Sequence, residues 1–189
     1  MLKRQPVLAI SHKCNNCGDC CRGRGDIFLT PLNVFQISQF LGISQQTLIN
    51  RYCKRIGKLE VCLTSKGEEN ECIFLKNNGN KTACDIYPIR PMACYLFPLS
   101  ASSTPNLFTK NFSPLCPSST NSISVEKFAY EQSNSRYLKD FRAKNKFVAT
   151  ICYLEKIENL DIEDMFHFLF FNTSEEEIEQ KLNSILSSF

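Results

Sequence analysis

The chain has 189 residues, 43% hydrophobic and 22% charged, a composition that suits one globular domain with at most a small appendage and excludes a disordered chain or a membrane protein. Eleven cysteines accompany two histidines and no tryptophan; an odd number cannot all pair within the chain, and a chain of this length needs no disulfides in place of a core, so metal chemistry is the first hypothesis. The net charge of +3 hides an asymmetry: residues 1–120 carry 14 Lys and Arg against 7 Asp and Glu, whereas residues 121–189 carry 8 against 12.

Ten of the 11 cysteines lie in the basic half. Metal-bound cysteines are thiolates, so the positive surplus reads as compensation for thiolate charge before it reads as a nucleic-acid or membrane surface. The apolar stretch Val7 to Ile10 is too short for the core of a signal peptide, and Met165 to Phe171 is too short and too interrupted to span a membrane. The expectation is a cytoplasmic protein of a reducing compartment, where clustered cysteines serve as metal ligands or redox centres.

In chain order, Ser11 to Gly25 has no hydrophobic period and predicts a loop held by its cysteines. Thr30 and Pro31 open a helix with Val34, Ile37, Phe40 and Leu41 at helical spacing, stopped by Gly42. Ser44 caps a second helix that carries Leu48, Tyr52 and Ile56 on one face and ends near Gly57. Its Arg51, Lys54 and Arg55 read as a solvated face. LEVCLTS and ECIFLK then predict a hairpin across KGEEN, NNGN another turn, Ala83 to Pro98 a knuckle, and FPLSASS with NLFTKNF a second hairpin. Ser118 to Ser124 is the linker candidate, and Val125 to about Glu158 predicts helix with an interruption near Gln132 to Ser135. Ile162, Met165, Phe166, Leu169 and Phe170 form one further helical stripe. Ile178, Leu182, Ile185, Leu186 and Phe189 form the last, behind a Ser174/Glu177 capping box. The expected architecture is α+β, with a metal-binding region over residues 1–120 and a helical extension over 121–189.

The chemistry lies in the cysteine spacing. Cys14, Cys17 and Cys20 form C-x2-C-x2-C, followed at once by Cys21; two-residue gaps let successive thiolates curl around one centre while loop amides point at the sulfurs. The spacing matches the first three ligands of a bacterial ferredoxin run, whose fourth cysteine precedes a proline, as in Cys116-Pro117, and zinc uses such knuckles equally well. Neighbouring side chains diverge in most backbone conformations, so Cys21 is expected to face a second centre or a partner rather than the same metal atom. Cys72, Cys84 and Cys94 form a second set whose gaps fit neither a two-CxxC zinc ribbon nor a radical-SAM cluster. Cys53, Cys62 and Cys152 fall within periodic segments and read as buried hydrophobes. His12 is a lesser ligand candidate. His167 reads as a helix-face residue.

CNNCGDCCR at 14–22, FLT at 28–30, LG at 41–42, CIFL at 72–75, CDIYPIRPMAC at 84–94, FP at 97–98 and CP at 116–117 together resemble the YkgJ-type CxxCxxCC cysteine-cluster proteins. These are described as zinc- or iron-chelating domains or iron-sulfur-cluster-containing proteins. The resemblance covers about residues 12 to 118 and implies metal binding by Cys14, Cys17, Cys20, Cys21, Cys72, Cys84, Cys94 and Cys116. A related motif occurs in flagellin lysine N-methylases. Two departures stand out: Tyr95 replaces an arginine that commonly follows the RPxxC cysteine, and SSTNS follows Cys116-Pro117 in place of glycines.

Spacing alone groups Cys14, Cys17, Cys20 and Cys116 around one cofactor, with Cys21, Cys72, Cys84 and Cys94 left for a second. Pro88 and Pro91 stiffen the backbone around Arg90, which with Asp85 and Tyr87 is expected either to support the thiolates or to contact a substrate anion. Arg22 and Arg24 are expected to offset thiolate charge. Zinc and an iron-sulfur cluster, including 4Fe-4S, both suit the donor set. The leading function is a metal-binding protein with a structural or electron-carrying centre. The alternatives are a cluster-dependent group-transfer enzyme and a zinc-based adaptor for a protein or nucleic acid; without base-stacking aromatics among the basic residues, a protein partner is favoured over nucleic acid. No catalytic residue is identifiable.

Overall fold

A computed structural model describes residues 17–23, 25–79, 81–95, 97, 100–101, 108–109 and 136–188. His12, Cys14, Arg24, Cys116, the Ser118–Ser124 linker and the first part of the long predicted helix lie outside the described residues.

Thr30 opens α1 (Pro31–Leu41) as its sequence predicts. Its Oγ1 accepts the Asn33 N–H at 3.2 Å while Asn33 Oδ1 accepts the Thr30 N–H at 3.2 Å, satisfying two donors that the helix cannot pair itself. Gly42 closes the helix at φ +64°, a left-handed conformation that a side chain would disfavour. Ser44 Oγ accepts the Thr47 N–H at 3.1 Å and starts α2 (Gln45–Tyr52).

α2 does not run on to Gly57. Beyond Tyr52 the chain extends as β2 (Cys53–Arg55), which joins β1 (Phe28–Leu29) and β3 (Val61–Leu63) in an antiparallel sheet of order β1-β3-β2. Cys53 stands opposite Leu63 and Arg55 opposite Val61. A ladder along β3 outweighs one more turn of helix, and Ile56, expected on the helix face, is 42% exposed. Of the three cations read as one helix face, Lys54 and Arg55 instead lie on β2, paired with Asp26 and Glu163, each at 2.7 Å.

The predicted LEVCLTS/ECIFLK hairpin is narrower than its sequence suggests. β3 belongs to the three-stranded sheet, and only β4 (Ser65–Lys66) pairs with β5 (Glu71–Cys72). The NNGN turn joins β6 (Leu75–Asn78) to β7 (Lys81–Cys84), with Gly79 at φ +61° and Cys84 opposite Leu75. A 3₁₀ turn (Tyr87–Ile89) and the single-turn helix α3 (Met92–Tyr95) follow, then the expected pairing of β8 (Ser100–Ala101) with β9 (Phe108–Thr109).

Three helices complete the described chain: α4 (Arg136–Leu154), α5 (Ile162–Phe170) and α6 (Glu175–Ser187). Ser174 Oγ accepts the Glu177 N–H at 3.1 Å, as in a capping box, but the Glu177 carboxylate reaches the N–H and hydroxyl of Thr173 at 2.7 Å, one residue further out. One hydrophobic core runs through both parts of the sequence: Leu29, Val34, Ile37, Leu48, Phe74 and Ile86 pack in the same cluster as Phe147, Phe166, Phe170 and Leu182. Phe170 stacks on Phe166 at 4.7 Å and meets Phe147 edge-on at 5.6 Å. Each such side chain contributes about 1.5–3 kcal/mol on burial. Gln45 adds a polar tie, its side chain bonding both the N–H and C=O of Asn172 at 2.8 and 2.7 Å. The fold is mixed α+β, as expected, and no described helix is long and apolar enough to cross a membrane.

Candidate metal centre

Cys17 to Arg22 form a tight knuckle. Asp19–Cys21 is a 3₁₀ turn entered through Gly18 at φ +81°, with the Cys21 N–H bonded to Gly18 O at 2.8 Å and the Arg22 N–H to Asp19 O at 3.2 Å. Glycine is required at position 18 on two grounds. The left-handed φ is one, and the other is proximity to β7, since a Cβ here would lie 2.8 Å from Thr82 Oγ1 and 2.9 Å from its methyl carbon.

The turn also overturns the expectation that Cys20 and Cys21 diverge, because their sulfurs are 3.7 Å apart. Successive side chains of a 3₁₀ turn are rotated by about 120°, not set on opposite faces as in a strand, so adjacent thiols can converge. Two sulfurs bound about 2.3 Å from one tetrahedral ion would be separated by about 3.8 Å. The pair therefore has the spacing of one tetrahedral edge.

Cys72 ends β5 and Cys84 ends β7, so the two short hairpins deliver one thiol each. Cys17, Cys72 and Cys84 share a local feature: the backbone N–H two residues on, from Asp19, Phe74 and Ile86 respectively, donates to the sulfur. A donated N–H favours the thiolate over the thiol. Burial acts in the opposite direction and is the larger effect, so all three thiols are held above the usual 9.0. Cys21 is pushed further up by its hydrogen bond with Cys20, by burial, and by negative charge at Cys20, Cys72 and Cys84. Thiols from three separated segments thus feel one another's charge. A bound cation would reverse the balance and draw the protons off.

Supporting side chains surround this set. Arg22, expected to offset thiolate charge, instead bonds Glu71 Oε1 at 2.7 Å, the Cys17 carbonyl at 2.8 Å and Asn77 Oδ1 at 3.2 Å. The cations whose charge favours the thiolate are Lys66 at Cys72 and Arg90 at Cys84. Arg90 also lies over the Tyr87 ring at 3.8 Å and donates to the Tyr87 carbonyl at 2.7 Å. Asp85 pairs with Lys76 at 2.9 Å. Cys94 is half-buried in α3, its N–H bonded to Pro91 O at 2.9 Å.

Among the described residues, no three His, Cys, Asp or Glu side chains close on a single point as ligands of one ion would. The described part of the candidate centre is thus the Cys20–Cys21 pair with Cys17, Cys72 and Cys84 as its electrostatic neighbours. Its donor chemistry, soft sulfurs oriented by amides, fits a thiolate-bound zinc or iron. Outside this set, Cys62 is buried and Cys53 half-buried, but Cys152, expected in the core, is exposed on α4.

The family described as "CxxCxxCC: Putative zinc- or iron-chelating domain" matches residues 13–134. The chain belongs to the CxxCxxCC family. Membership supports metal binding generally and agrees with the motif order read from Cys14 onward. No solved structure matches the chain.

Sequence reasoning missed Lys66, Glu71, Asn77 and Thr82. Only Gly18 carried a signal, as the glycine inside CNNCGDCC. The others become part of the site through strand pairing, which motif spacing does not encode.

Proposed function

We propose that the chain is a cytoplasmic metal-binding protein whose centre is structural or electron-carrying, with ligands drawn from Cys14, Cys17, Cys20, Cys21, Cys72, Cys84, Cys94 and Cys116. Arg90 supports the Cys84 thiolate from outside, with Tyr87 holding its guanidinium, whereas the Asp85 carboxylate disfavours that thiolate and is offset by its ion pair with Lys76. Residues 1–120 supply the centre, and the helices of 121–189 extend its core. The observation that carries this reading is the 3.7 Å Cys20–Cys21 pair at the end of an amide-directed knuckle. That spacing, an S–H···S contact between the two thiols, also suits two thiolates on a single tetrahedral ion, zinc or iron. In a four-iron cluster each iron takes one cysteine, and the cysteines stand further apart. The C-x2-C-x2-C spacing supports an iron-sulfur centre as the second reading.

Metal and acid-labile sulfide analysis, with a visible spectrum, on protein purified without oxygen tests both. Zinc or iron without sulfide supports the single-ion reading, iron with stoichiometric sulfide supports the cluster, and absence of stoichiometric metal overturns both. Cys17→Ser or Cys84→Ser should lower bound metal and destabilise residues 1–120, whereas Cys152→Ser should leave metal content unchanged. Full stoichiometry in Cys17→Ser would remove that residue from the ligand set.

A further inference from the structure

We infer that Arg22 is a positioning residue for the metal centre: it latches the cysteine knuckle onto the two hairpins that carry Cys72 and Cys84, and so sets metal affinity without being a ligand. The inference rests on the metal-binding reading above and adds a determinant that the cysteine motif does not contain.

The geometry is that of a three-way clamp. One guanidinium bonds Glu71 on β5 at 2.7 Å, Asn77 on β6 at 3.2 Å and the carbonyl of Cys17 itself at 2.8 Å. Glu71 is the neighbour of Cys72, and β6 is hydrogen-bonded to β7, which ends in Cys84. The clamp therefore joins the knuckle to both strands that present a distant thiol. Arg22 follows Cys21 directly, so its backbone is fixed by the same 3₁₀ turn that brings Cys20 and Cys21 together.

The knuckle is also close to β7. A Cβ at Gly18 would lie 3.0 Å from Arg22 Nη1 as well as 2.8 Å from Thr82 Oγ1, so the guanidinium and β7 both border residue 18. Only an arginine reaches three acceptors in one plane; a lysine offers a single point charge. Metal affinity rises when separated thiols are held near one another before the ion arrives, and partners outside the ligand shell commonly change metal affinity by about 10- to 100-fold.

The test compares zinc affinity by chelator competition, and the cobalt(II) thiolate charge-transfer spectrum, in the full chain and in Arg22→Gln, Arg22→Lys and Cys17→Ser. Helical circular dichroism of the metal-free proteins monitors folding. Arg22→Gln should keep the parent's stoichiometry at saturating zinc and its cobalt band intensity, because no sulfur is lost, while affinity falls about 10- to 100-fold. Arg22→Lys should fall between the two. Gly18→Ala should weaken binding in the same way, and adding Thr82→Ala should recover part of the loss by vacating the space that the new methyl needs.

Affinity within twofold of the parent in Arg22→Gln, with Cys17→Ser losing metal, would overturn the latch and leave the metal reading intact. Full metal content in Cys17→Ser and in Cys84→Ser would instead overturn the ligand reading on which the latch rests. If Arg22→Gln failed to fold, Glu71→Gln would serve in its place: it weakens one arm of the clamp, a smaller affinity loss is expected, and no loss would overturn the inference.

Discussion

The thiols illustrate how burial and local amides oppose each other at single residues. Cys53, outside the candidate centre, is the simplest case: burial, assisted by Cys62, pushes its thiol up from the ordinary 9.0 to about 12. An unfolded chain releases this proton near pH 9, while the native state keeps it to about pH 12, so the native state holds more protons across that window. Stability should therefore fall as pH rises through it, by about 1.4 kcal/mol per pH unit for this one group. Urea unfolding of the metal-free chain between pH 8.5 and 11.5 should show a slope shallower by that amount in Cys53→Ala than in the parent. Equal slopes would mean that the thiol titrates alike in both states. Among residues of the candidate centre, Gly18 was readable as a turn glycine, but its closeness to Thr82 depends on a hairpin more than 60 residues downstream.

At the scale of elements, the parts that the sequence made legible are those whose signals are local. Thr30-Pro31 and Gly42 bound α1, Ser44 starts α2 and Ser174 starts α6, each at the expected residue, because a cap is a hydrogen bond between groups three residues apart. Removing such a bond has a local cost: Thr30→Ala should lower stability by about 1 kcal/mol, measured by denaturant unfolding, with the slope of the transition unchanged. A loss below about 0.3 kcal/mol would show that Asn33 closes the turn without the threonine hydroxyl. Where elements depend on a partner, local signals misled. The helical spacing of Leu48, Tyr52 and Ile56 continued past Tyr52, yet Cys53 to Arg55 became a strand because β3 offered a ladder. Similarly, β6 was read only as the tail of ECIFLK, and β7 was visible only as the turn that precedes it.

The whole molecule shares one core, and this bears on how its two parts respond to perturbation. Phe170 is fully buried, stacked on Phe166, and in the same cluster as Leu29, Ile37 and Phe74 beside the cysteine-bearing strands. Phe170→Ala should lower stability by about 3–5 kcal/mol. Because the cluster is continuous, helical circular dichroism and the near-ultraviolet signal of tyrosines such as Tyr52, stacked on Phe74 at 5.1 Å, should unfold in coincident transitions in both parent and variant. Separate midpoints would mean that the helical extension is an independent folding unit.

By itself the sequence determined the family, the mixed α+β class, the helix caps and the cysteine inventory, because each rests on residue identity at short separations along the chain. Only the tertiary structure decided that Cys20 and Cys21 converge, that Cys72 and Cys84 come within electrostatic range of Cys21 from two hairpins, that Cys152 is exposed and that Arg22 bonds Glu71 and Asn77. Those relations depend on turn geometry and strand register. A C-x2-C spacing and its local turn limit how far apart neighbouring sulfurs can be, but which distant thiols they meet is set by the packing of β5 and β7.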